Sequence, residues 1–136
     1  MTESSQPLLA RVPITVRWRD LDAYNHVNNS VFLTYLEEAR LVWLEGLVGD
    51  WKTETLSPVL AASQIDFRDQ IEWPAELAVE VRCEKLGNSS LTLAHRITSA
   101  DGTRLFSEAS VVMVWINPQT GRPVALPDAV RAACVA

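Results

Sequence analysis

Two aspartates, three asparagines and a histidine crowd into one stretch, Asp20-Leu21-Asp22-Ala23-Tyr24-Asn25-His26-Val27-Asn28-Asn29, directly ahead of an apolar run with helical spacing. Carboxylates and an imidazole accept and relay protons, and a helix start beside them offers backbone N–H groups and a dipole that favour developing negative charge. Such a set can hold a nucleophile or a general base. An architectural reading competes with it, because Asp, Asn and Ser also cap helices and shape turns. Asp20 fits that role well, and Asn28, Asn29 and Ser30 suit an N-cap equally.

The segment needs a scaffold, and the patterning on either side supplies one. Upstream, Val12, Ile14, Val16 and Trp18 alternate with Pro13, Thr15, Arg17 and Arg19, which predicts a half-buried strand with Pro13 at an edge or end. Downstream, Phe32, Leu36, Ala39, Trp43 and Leu47 form a helical stripe that Leu33, Val42 and Leu44 widen, so a helix is expected from Ser30 to about Val48 with Gly49-Asp50 as its stop. Glu37, Glu38 and Arg40 are expected on its solvated or subunit-facing side.

Four more strands follow: Val59 to Ile71; Leu77 to Cys83; Leu91 to Ile97 after a Gly87-Asn88-Ser89 turn; and Leu105 to Ile116 after Asp101-Gly102. The last is apolar on both faces by its end, as a covered central strand would be. Pro127-Asp128 opens a short C-terminal helix. The order predicts an α+β fold in which five antiparallel strands carry one helix across them. One helix cannot cover such a sheet, so a homo-oligomer is expected.

Composition narrows the function classes. The 136 residues are 48% hydrophobic and 21% charged, with a net charge of −5, and are expected to form a single domain, 1–136. No basic stripe tracks phosphates, which argues against nucleic acid. The N-terminus has no apolar leader pattern and no segment is long enough to span a bilayer, so a cytoplasmic, soluble protein with no membrane partner is expected. Cys83 and Cys134 show no metal or disulfide spacing. His95 shares an apolar strand face and is read as a satisfied core or interface histidine.

Asp20 to Asn29, followed by Tyr35-Leu36-Glu37-Glu38-Ala39-Arg40, resembles the hotdog-fold acyl-CoA thioesterases, in particular the 4-hydroxybenzoyl-CoA thioesterase-like group. Gly87-Asn88-Ser89-Ser90 and Gly121 to Pro127 resemble that family's hairpin turn and ending. The resemblance implies a five-stranded antiparallel sheet wrapped around one long central helix, subunits paired into homodimers or a homotetramer, and sites between subunits. It implies an acyl-CoA substrate, with no metal or organic cofactor. It assigns the catalytic carboxylate to Asp22, the carbonyl-polarising backbone N–H to Asn29 and an assisting role to His26; whether Asp22 attacks the carbonyl or activates water stays open. The plant acyl-carrier-protein enzymes of this fold have asparagine two residues after the acid, where this chain has Tyr24. An acyl-carrier-protein thioesterase and a non-catalytic acyl-CoA-binding protein are the alternatives. Arg68, Arg82, Lys85, Arg96 and Arg104 are the cations available for CoA phosphates.

Overall fold

Alternation builds the middle of the sheet: Leu77, Val79, Val81 and Cys83 are buried, as are Leu91, Leu93, His95 and Ile97, while Glu80, Arg82, Thr92, Ala94 and Arg96 between them are half-buried. In the computed structural model, which describes residues 6–135, the elements run β1 (Leu8–Thr15), a 3-10 turn (Trp18–Asp20), α1 (Asn29–Val48), β2 (Ser57–Phe67), β3 (Glu76–Leu86), β4 (Ser90–Ser99), β5 (Leu105–Asn117), β6 (Arg122–Pro123) and α2 (Asp128–Val135). The sheet order is β1-β3-β4-β5-β2, antiparallel throughout. The two-residue β6 adds a sixth strand on β5, one more than the sequence predicts. The register places Val79 opposite Ile97, and Val81 opposite His95, on the buried face. Each fully buried Leu, Ile or Phe there contributes roughly 1.5–3 kcal/mol.

Helix α1 lies against this face and buries Phe32, Tyr35, Leu36, Ala39, Arg40, Trp43 and Leu44. Asn28 caps its start, and Gly49 ends it at a φ of 81°, with its N–H bonded to the Glu45 carbonyl. A residue with a Cβ is strained at that angle, which is why glycine serves as the stop. None of the helices of the described residues is long and apolar enough to cross a membrane.

Three expectations are corrected by the packing. Trp18 does not continue β1: the strand runs from Leu8 to Thr15, the chain then tightens into the 3-10 turn, and Trp18 is 70% exposed. Pro13 sits inside this strand, tolerated because β1 is an edge. Arg40 is not on the solvated side but buried, whereas Leu33 and Val42, expected to extend the apolar face, are exposed. The strand expected to reach Ile71 ends at Phe67. The sequence reading of a missing leader falls on residues 1–5 and lies outside the described residues.

The opposite edge, β2, is exposed along most of its length, including Val59, Leu60 and Phe67. Cys83 on β3 and Cys134 on α2 are free and buried. His95 is buried, but neither ring nitrogen has a hydrogen-bond partner among the described residues. Core histidine is borne out; its expected satisfaction is not.

Candidate active site

The ten residues ahead of α1 fold into a small, tightly tied hairpin. Leu21 and Val27 form an isolated antiparallel bridge, the Asp22 N–H donates to the His26 carbonyl at 3.1 Å, and the Asn25 N–H donates to the Asp22 carbonyl at 2.9 Å. Asn25 takes a left-handed φ of 66°, a conformation that asparagine tolerates better than most residues. Two further backbone bonds anchor the hairpin: Val27 N–H to the Ile71 carbonyl and Asn28 N–H to the Asp20 carbonyl, both 2.9 Å.

Asp20 is the buried foundation. Its carboxylate accepts the Tyr35 hydroxyl at 2.7 Å and the Arg17 backbone N–H at 3.0 Å, with the Arg17 guanidinium at 3.5 Å. Burial alone would raise its pKa, but these donors and the Arg17 charge hold the carboxyl below its usual range. The Tyr35 hydroxyl is pushed up by burial and by the bond it gives Asp20. Asp20 is therefore a bolt between the hairpin and α1, consistent with its architectural reading.

Asp22 sits at the lip of the cleft that the hairpin frames. Its Oδ1 accepts the Tyr24 N–H at 2.9 Å and its Oδ2 accepts the Asn28 side-chain amide at 3.2 Å. The cleft, of about 460 Å³, is lined by Asp22, His26, Asn29, Phe32, Phe67 and Arg68 among others. Asn29 is the first residue of α1, so its N–H has no acceptor within the helix. Phe32 and Phe67 meet edge to face, with centroids 5.1 Å apart, and form an apolar wall.

His26 lines the same cleft, but no hydrogen bond joins its imidazole to Asp22 among the described residues. Its Nε2 lies 3.7 Å from the Glu72 carboxylate, beyond hydrogen-bond length, and its Nδ1 is buried without a partner among those residues. The structure thus brings Asp22, His26 and Asn29 to one cleft without linking the first two side chains directly.

Of the five cations noted in the sequence, Arg68 borders the cleft; it bonds Glu108 at 3.0 Å. Arg104 pairs with Asp69 at 2.6 Å, a bond that holds the Asp69 carboxyl below its usual range. Arg96 faces Glu80 and Glu108 in register on β3 and β5. Sequence reasoning missed Phe67, Glu72 and the Tyr35 bond to Asp20. All three arise from contacts between distant segments, and the one available signal was local: the alternation of Ile65 and Phe67 with Asp66 and Arg68.

The chain is similar to several known proteins. The long-chain acyl-CoA thioesterase FadM of Escherichia coli is 30% identical over 120 residues, covering 87% of this chain and 91% of its own. Among solved structures, the PA2801 protein of Pseudomonas aeruginosa superposes with a TM-score of 0.89 at 37% identity, over 95% of this chain and 99% of that one. A Thermus thermophilus thioesterase, solved in complex with coenzyme A and zinc, gives a TM-score of 0.80 at 37% identity, over 96% and 99% of the two chains. Residues 16–134 match the family described as the thioesterase-like superfamily, so the hairpin, α1 and every strand except β1 fall within the match. The chain belongs to that superfamily and is a thioester hydrolase.

Proposed function

We propose that this protein hydrolyses an acyl-CoA thioester to the free carboxylic acid and CoA, with Asp22 as the catalytic carboxylate. The observation that carries this reading is the orientation of Asp22: both its oxygens are held by donors, at a cleft that Asn29, the first residue of α1, also lines. A thioester carbonyl bound there gains negative charge on oxygen as it is attacked, and the Asn29 N–H with the helix dipole favours that charge. Two routes fit. Asp22 attacks the carbonyl carbon, expels CoA thiolate and leaves an anhydride that water cleaves; or Asp22 takes a proton from water as that water attacks. His26, which lines the same cleft, assists by orienting that water. The names of FadM and of the CoA-bound Thermus protein support CoA over a carrier protein as the thiol portion.

The reading includes a hotdog arrangement of residues 1–136 as one domain, its sheet curled about α1 as the central helix, and a homodimer. Strand β2 is a long edge whose residues Val59 to Gln64 carry no charge. Such an edge invites another strand, and pairing with β2 of a second copy is self-complementary about a twofold axis. Antiparallel pairing sets the Ser57 end of one strand near the Phe67 end of the other, beside the cleft. Two such dimers stacking would make the homotetramer.

The test is thiol release from a panel of aromatic, short-chain and long-chain acyl-CoA esters by wild type and Asp22→Asn. Asparagine keeps the side-chain volume and removes the carboxylate, so turnover should fall by about a thousandfold or more while the fold, read by circular dichroism, is retained. Ligand binding without turnover of any ester would favour the acyl-CoA-binding alternative.

A further inference from the structure

Asn28 spans the two halves of the site with a single side chain. Its Oδ1 accepts the Ser30 backbone N–H and the Ser30 hydroxyl, each at 2.8 Å, which caps α1. Its Nδ2 donates to Asp22 Oδ2 at 3.2 Å. A side-chain amide has one accepting end and one donating end. The Ser30 backbone N–H can only donate, so the reversed amide would oppose two donors at one end and set an oxygen against a carboxylate at the other. The backbone of Asn28 is pinned as well, through its N–H on the Asp20 carbonyl, and Asp20 is bolted to Tyr35 on α1.

We infer that Asn28 is a positioning residue for thioester hydrolysis: it ties the orientation of the Asp22 carboxylate to the N-terminus of α1, so that the acid and the Asn29 N–H keep a set separation across the reacting carbonyl. The inference rests on the reading of Asp22 as the catalytic acid. The two functions of the Asn28 side chain are separable. Serine and aspartate cap helices about as well as asparagine, so either preserves the Oδ1 role. Neither supplies the N–H that Asp22 accepts, and aspartate sets a second carboxylate against the first. Misplacement of a reacting group by about 1 Å can cost on the order of a hundredfold in rate.

The experiment compares Asn28→Ser, Asn28→Asp, Ser30→Ala and Asp22→Asn for kcat, KM and Tm, using whichever ester of the panel wild type turns over fastest. Asn28→Ser and Asn28→Asp should lose about ten- to a hundredfold in kcat, with KM and Tm near wild type. Ser30→Ala removes one of the two restraints on Oδ1 while keeping the backbone bond, and should show a smaller kcat loss of the same kind. Combined with Asp22→Asn, the Asn28 substitutions should add no further loss, since the group they orient has already lost its function. An inactive Asp22→Asn beside an Asn28→Ser with wild-type kcat would overturn the role of Asn28 and leave that of Asp22 standing. A fully active Asp22→Asn would instead remove the underlying reading. Should the Asn28 variants fold poorly, Ser30→Ala decides: a kcat loss at unchanged KM and Tm supports the inference, and wild-type kcat overturns it.

Discussion

Replacing His95 by leucine should make the protein less sensitive to acid. His95 is buried on the inner face of β4 with neither nitrogen paired among the described residues. Burial, followed by the charge of Arg40, lowers its pKa from 6.5 to about 3, against an opposing contribution from the Leu93 backbone. The unfolded chain takes up this proton near pH 6.5 and the folded chain only near 3, so the unfolded state binds more protons throughout that interval. Stability is therefore complete above pH 6.5 and falls as the pH drops towards 3. At 1.36 kcal/mol per pKa unit, His95 alone should cost wild type about 2 kcal/mol between pH 7 and pH 5. Leucine fills a similar volume with nothing to ionise and leaves no buried nitrogen unpaired, so at pH 7 the variant should equal wild type or exceed it by about 1–2 kcal/mol. Urea unfolding of both proteins at matched concentration, followed by tryptophan fluorescence at pH 7, 6 and 5, reads the difference directly. Every other titrating group is common to the two proteins and cancels. Equal losses in wild type and His95→Leu over that range would refute the reasoning.

Two further outcomes follow from the packing. Leu60→Lys puts a charge into the exposed middle of β2, where leucine is 52% exposed, and should convert a dimer joined at that edge into monomers by light scattering, with turnover lost in step; an unchanged mass would exclude the β2 edge as the interface. Cys134 is pushed up to about 12, first by burial and then by the hydrogen bond and charge of the adjacent Cys83. A thiol reagent at pH 8 should therefore label the folded protein slowly and the denatured protein at once, and rapid labelling of the folded protein would contradict the burial of this pair.

Legibility varied with how local the determining forces are. β3 and β4 were readable because alternation in Leu77 to Cys83 and Leu91 to Ile97 reports directly which side faces the core. The start of β1 was not, because Leu8, Leu9 and Ala10 lack that alternation and become strand only by pairing with β3. Arg40 was misread for a related reason: helical periodicity ranks residues by polarity, whereas tertiary packing decides which flank of α1 is enclosed. In the site, the acids, amides and histidine were visible as a cluster. Asn28 as the actual N-cap, rather than Asn29 or Ser30, depends on the φ of −62° and ψ of 142° that the hairpin imposes on it.

The amino-acid sequence by itself determined that an acid-rich segment would precede an amphipathic helix and that an antiparallel sheet would receive it, because periodicity and capping preferences act over a few residues. Only the tertiary structure decided which carboxylate is buried and which is presented. Asp20 and Asp22 are two residues apart and chemically identical. What separates them is that the hairpin turns one towards Tyr35 and the other towards Asn28 and an open cleft. That distinction is made by hydrogen bonds from residues six to fifteen positions away, and by Phe67, which arrives from the far edge of the sheet to close the wall.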